Sequence, residues 1–411
     1  MKALLASTAV SIALVTLAVA AQGPPRPEPK LSIDPLSSPA GEASAQPQLT
    51  VSARGILLSW IERSGARASL RFAERTSTGW SEPRTVASGD DWFVNWADVP
   101  SVLRLDGGGL AAHWLQKSGP DTYAYDVRLS YSTDDGRSWS PSFMPHHDGT
   151  RTEHGFASLF EMPGAGLGVI WLDGRNMVAG EGHDGHSAER GAMTVRFATF
   201  DARWQQTNEM PVDLRVCECC PTTAVVTSDG PIVAYRDRSD SEIRDIYVAR
   251  LENGKWTAPA PVHDDGWKIA ACPVNGPMLS ARGRDVAVAW FTVKDDVGHA
   301  YVAFSSDAGR TFGRPIRVDE ASAIGRVDVE LLPDGSAVAT WIESAGQRST
   351  LALRRVQKSG QRSSLVAVSA IDGARASGYP RLAHHGNELV FAWTENVGGK
   401  PSVKTAKAQL K

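Results

Sequence analysis

The stretch ILLSW, Ile56 to Trp60, is a short apolar run closed by an aromatic residue, and the chain repeats it. The further copies are LAAHW (to Trp114), LGVIW (Trp171), PIVAY (Tyr235), VAVAW (Trp290), AVATW (Trp341) and ELVFAW (Trp393). Successive aromatics are 54, 57, 64, 55, 51 and 52 residues apart. A period of about fifty residues with several short strands per copy is the signature of a β-propeller, in which each blade buries its faces against its neighbours.

The segments around each copy predict four strands. The first copy reads PQLTVSA, GILLSWIE, ASLRFAE and GWSEPRTV; the fifth reads GPMLSA, VAVAWFT and AYVAFSSDAGRTFGRPIRV. Each segment is short, rich in β-branched or aromatic residues, and bounded by Gly, Asp, Ser or Pro. No stretch carries a helical period, so the fold class is all-β: a propeller of seven four-stranded blades, with six as the alternative. The last copy ends on SVKTAKAQLK, a third strand with no fourth. An N-terminal strand at residues 31–34 is expected to supply it and close the ring.

The 411 residues carry 43 basic against 46 acidic side chains and no like-charge run, which argues against nucleic acid or an anionic membrane as partner. Residues 1–21 have the charged start, apolar middle and small-residue end of a secretory signal peptide. The reading is therefore a secreted or periplasmic protein with no membrane span after cleavage, expected to be a monomer. Residues 22–46, rich in Pro, Ser and Ala, read as a linker, and residues 47–411 as one propeller domain.

Two turns share a motif: STDDGRSW, Ser132 to Trp139, and SSDAGRTF, Ser305 to Phe312. Asp134 and Asp307 are expected to accept backbone N–H groups there, Gly136 and Gly309 to take positive φ, and Trp139 and Phe312 to pack between blades. The motif resembles the Asp-box (BNR repeat) of the sialidase-like propellers, and the chain is similar to a divergent exported bacterial member. In that family the box is architectural and lies away from the ligand face. The resemblance also implies an F/Y-R-I-P segment whose arginine helps bind a substrate carboxylate, but the matching region here, GEASAQPQLTV, has no arginine. The family's catalytic roles are therefore not carried over, and true sialidases have six blades.

In a propeller, the loops entering each first strand and those leaving each second strand open on one face. The entering loops place Trp96, Asp98, His154, Trp267, Asn275, Arg326 and Tyr379 on that rim; the leaving loops place Asp173, Arg175, Arg236, Asp237, Glu343 and Glu395 there. Aromatics in this position suit a carbohydrate, peptide or protein partner. Two carboxylates among Asp98, Asp173, Asp237 and Glu343, with Arg175 or Arg236, would suit a sialidase-like glycoside hydrolase if they face one another. Turn formation and structural ion pairing are the competing uses of the same residues.

Cys217, Cys219, Cys220 and Cys272 all fall in two adjacent entering loops. Export favours disulfides among them, with the pairing open. The alternative is a metal or redox site in which thiolates combine with histidines such as His183 and His186 of the GEGHDGH insertion. No cofactor is expected under the disulfide reading; under the alternative, copper or zinc is the metal that this ligand mixture suits.

Overall fold

A computed structural model describes residues 31–164, 166–177, 191–346 and 348–410. These form seven antiparallel sheets in sequence order, a seven-bladed β-propeller. The first strands are Ser44–Ser52, Ser101–Arg104, His154–Met162, Thr223–Thr227, Met278–Arg282, Ser322–Leu331 and Arg381–His385. The second strands carry the repeated aromatics: Gly55–Ser64, Leu110–Lys117, Gly166–Asp173, Gly230–Arg236, Asp285–Lys294, Ala337–Ala345 and Glu388–Val397.

Burial explains why that aromatic recurs. Trp60, Trp171, Tyr235, Trp290 and Trp341 are all fully buried. Trp60 packs with residues of blade seven, Trp171 with blade two, Trp290 with blade four, and Trp341 with blade five. Each ring is thus a bolt between neighbouring sheets, where truncation to Ala typically costs about 3–5 kcal/mol.

The ring closes as expected in kind but not in register. Asp34–Leu36, and not residues 31–34, pairs with the last strand, Lys400–Gln409, setting Asp34 opposite Lys407 and Leu36 opposite Thr405. The apolar anchor decides the position: Leu36 is buried with Trp60 and Val403, and Thr405 Oγ1 donates to its carbonyl at 2.7 Å. Blade one likewise begins at Ser44, three residues before the predicted boundary, and its first strand bulges after Ala45 at Gln46, whose φ is 57°. Blade two has three regular strands; its outer edge is completed by reciprocal backbone bonds of 2.7 and 2.9 Å between Leu129 and Phe143.

The two matched turns have one geometry. Asp134 Oδ1 accepts the N–H groups of Arg137 and Ser138 at 3.1 and 2.9 Å, and Asp307 Oδ1 accepts that of Thr311 at 2.9 Å. Gly136 and Gly309 take φ of 79° and 78°. Trp139 meets Phe72 of blade one edge-on at 6.0 Å, and Phe312 packs with Ile232 of blade four. Among the described residues, no helix is long and apolar enough to cross a membrane.

The seven first strands surround a central cavity of about 430 Å³. Asp98, Arg104, Asp328, Glu330 and Arg381 reach it, so the channel brings charged side chains into the interior.

Candidate functional site

The loops entering blades four and five bring the cysteines together. Cys217 is fixed where its N–H donates to the Arg236 carbonyl at 3.0 Å, which ties the loop to the end of the second strand of blade four. Cys217, Cys219 and Cys220 are buried, with Cys217 Sγ 3.9 Å from Cys219 Sγ and 2.9 Å from Cys220 Sγ. Cys272, from the next loop, reaches Cys219. Cys217, Cys219 and Cys220 are not joined to one another by a disulfide in this structure.

Two buried guanidinium groups flank the thiols. Arg244 Nη1 donates to Cys217 Sγ at 3.3 Å and to Glu218 Oε2 at 2.9 Å. Arg236 donates to the carbonyls of Asn275, Arg244 and Phe291 at 2.8, 2.6 and 2.7 Å, and stacks over Trp267 at 4.8 Å. Its polar atoms are thus spent on backbone, and what it offers the site is charge. Burial pushes the Cys217 thiol up to about 11 and holds Cys219 well above the usual range. Burial also opposes ionisation of Cys220, but bonds from Cys217 and Cys219 and the charge of Arg236 bring it well below. The cluster therefore favours one thiolate at Cys220, held among protonated neighbours.

Loops from blades two, five, six and seven meet beside it. Trp96 and Tyr379 stack at 5.9 Å, Arg326 lies over Trp96 at 4.9 Å, and Arg381 over Tyr379 at 5.5 Å. Tyr379 packs in the same buried cluster as the cysteines, and its hydroxyl donates to the Val274 carbonyl at 2.5 Å. Asn275 Oδ1 accepts the Arg326 N–H at 2.8 Å, while its Nδ2 donates to the Ile324 carbonyl at 3.2 Å. Gly325 permits this approach: its φ is 94°, and a Cβ there would collide with the Asn275 amide. Trp96, Trp267, Asn275, Arg326 and Tyr379 thus share one end of the molecule with the cysteines.

The carboxylates are dispersed and engaged. Trp60 Nε1 donates to Glu62 at 2.8 Å, Trp171 Nε1 to Asp173 at 2.8 Å, and Trp341 Nε1 to Glu343 at 2.7 Å. An acid two residues after the bolt aromatic is thus a recurring acceptor for the indole. Asp173 also takes both arms of Arg175 at 2.7 Å, a closed ion pair. Glu343 accepts the N–H groups of Glu320 and Ala321 as well. Asp237 is not salt-bridged to Arg236; burial and then the charge of Asp213 push it up to about 7. Glu395 is part-exposed, 3.5 Å from Lys404, and lines a hollow beside the N-terminal strand.

Asp98 is the predicted acid that reaches the channel. Its Oδ2 accepts the Phe156 N–H at 2.7 Å, and burial, with the charge of Glu153 adding, pushes it up to about 8. Beside it, Tyr125 donates to Glu153 Oε1 at 2.5 Å. Tyr125 and Glu153 are site neighbours given no role from the sequence: Tyr125 lies on a third strand, and Glu153, although in a loop entering blade three, belongs to no motif. Arg244 is also missed, although it lies within an arginine-rich run, RDRSDSEIRD (Arg236 to Asp245). His154 is fully buried and stacked on His146. His183 and His186 lie outside the described residues.

No protein-family model matches the chain, and no curated protein does. Solved structures match with TM-scores near one half. A protein of unknown function from Dyadobacter fermentans DSM 18053 aligns with a TM-score of 0.52 at 13% identity, over 93% of this chain and 98% of that one. The polysaccharide lyase Uly1 aligns at 0.53 and 9% identity, over 89% and 90%. The K499G mutant of the NanB sialidase from Streptococcus pneumoniae aligns at 0.48 and 8% identity, over 86% and 83%. The chain has a seven-bladed β-propeller fold. Identities this low carry architecture and no activity.

Within this propeller, chemistry available at the rim is that of thiols and cations. Three buried thiols converge, with Cys272 of the next loop beside Cys219; Arg244 stands against Cys217, the charge of Arg236 acts on Cys220, and Tyr379 packs in the same cluster. The predicted rim acids Asp173 and Glu343, by contrast, are each held by an indole and further structural donors.

Proposed function

We propose that this chain is an exported propeller that binds a soft metal ion, copper(I) or zinc, through Cys217, Cys219, Cys220 and Cys272. The observation that carries the reading is convergence: the Sγ atoms of Cys217, Cys219 and Cys220 all lie within 4.8 Å of one another. Disulfides need pairs, whereas these sulfurs surround a point. The Cys217 to Cys219 separation of 3.9 Å suits an edge of a tetrahedron with metal–sulfur bonds of about 2.3 Å. Cys220 has only to draw back from its 2.9 Å contact to complete it. Thiolates bound to such an ion leave net negative charge, and Arg236 and Arg244 supply the compensation.

A second reading rests on the aromatic rim. Trp96 is part-exposed between the guanidinium groups of Arg326 and Arg375, 4.9 and 6.0 Å from its ring. That surface supports docking of a carbohydrate or peptide at the same end of the propeller. A sialidase-like hydrolase is less well supported, because Asp173 and Glu343 are committed to indole, backbone and arginine donors.

Elemental analysis of the purified native protein, paired with a thiol titration in denaturant, tests the proposal. The expected result is one soft metal ion per chain and four titratable thiols. Metal-free protein with no titratable thiols overturns it in favour of disulfides.

A further inference from the structure

We infer a second metal site, of nitrogen and oxygen ligands, formed by Asp126, His146 and His154 between blades two and three and independent of the cysteines. Asp126 lies on the third strand of blade two, Tyr125–Ser132; His154 opens the first strand of blade three, and His146 stands in the loop between them. One ligand atom from each residue lies within 4.8 Å of the others. His154 Nδ1 is 3.5 Å and His146 Nε2 4.0 Å from Asp126 Oδ1.

Both of those ring nitrogens are buried and make no hydrogen bond. The histidine side chains are 0% and 4% exposed, whereas Asp126 retains 18% and opens the site to solvent. Leaving two buried imidazole nitrogens unpaired costs free energy that a bound cation removes.

The opposite edge of the pair is built as a metal site's outer shell usually is. Asp148 Oδ2 faces His146 Nδ1 at 3.3 Å and His154 Nε2 at 3.2 Å, with Asp173 Oδ2 3.8 Å from the latter. Asp148 is itself held by the Thr150 N–H at 2.9 Å and the Thr150 hydroxyl. Neither His154 Nε2 nor Asp148 Oδ2 completes a hydrogen bond in the described state; once the rings splay, Asp148 would accept the protons of His146 Nδ1 and His154 Nε2 and leave lone pairs on the two nitrogens nearer Asp126. Arg175, 3.5 Å from Asp148 Oδ2, blocks a cation on that inner edge and directs it to the outer one. The two imidazole rings stack at 3.9 Å and 6° in the described state, so seating an ion requires them to splay until each lone pair is in line. Two imidazoles and one carboxylate suit a borderline divalent ion of the zinc type.

Cobalt(II) titration of the metal-stripped full chain, followed by absorption, separates this site from the thiols. Sulfur ligation gives intense charge-transfer bands; nitrogen and oxygen ligation gives weak ligand-field bands alone. The expected result is a class of cobalt binding with ligand-field bands only, lost in Asp126→Asn and in His146→Ala and retained in Cys217→Ser. Wild-type protein that shows no such class, or variants that retain it, overturn the inference. Near-ultraviolet circular dichroism confirms that each variant is folded, and the wild-type titration decides the question even where a variant is not.

Discussion

Arg244 Nη1 donates to Cys217 Sγ at 3.3 Å inside the protein, where neither side chain reaches solvent. The same guanidinium is shared with Glu218 and Glu242, both at 2.9 Å, so its position is over-determined. A neutral disulfide gains little from a buried cation. A Cys217 sulfur that becomes a thiolate on binding a metal ion gains a great deal.

Replacing this residue separates the two cases. Arg244→Lys keeps a charge but loses the planar fork that spans sulfur and carboxylates. Loss of an outer-shell partner commonly weakens metal affinity about 10–100-fold. Competition with a chromogenic chelator is expected to show a loss in that range, with the free thiol count unchanged.

The charged channel gives the protein a distinctive pH dependence. Burial raises Glu330 from 4.5 to about 8, with Asp328 adding, and raises Asp328 from 3.8 to about 6. The folded state therefore holds protons that the unfolded chain has released, and stability falls as pH rises through this range. The contribution is full below the unfolded values and gone above the folded ones. Glu330→Gln, neutral throughout, is expected to flatten the decline in melting temperature between about pH 4.5 and 8.

Glu343 is read as a structural acceptor, and its removal is expected to act on stability. Glu343→Ala strands the buried Trp341 indole N–H and two backbone donors. One buried donor left unsatisfied costs about 1–3 kcal/mol. Urea unfolding is expected to show a lower midpoint with an unchanged slope, and metal content is expected to stay constant.

The blade count was legible because the bolt aromatic must recur once per sheet, and every predicted copy is a second strand. Convergence of the cysteines with Asn275, Arg326 and Tyr379 was legible too, since propeller topology sends all entering loops to one end. What these side chains do there was not. Asp173 and Glu343 read as rim acids with either a catalytic or a structural use, and spacing alone cannot reveal that an indole two residues earlier claims them. Arg244 and His146 escaped notice because their importance lies in contacts across loops and blades, which no local motif encodes. The closing strand shifted from residues 31–34 to Asp34–Leu36 because burial of one leucine set the register.

X-ray absorption at the metal edge of native protein tests the thiolate centre most directly. The account predicts a bound soft metal with sulfur neighbours at about 2.3 Å, lost when Cys217 and Cys220 are both replaced by serine. A metal-free preparation whose peptide map links Cys217 to Cys220 by a disulfide would contradict it.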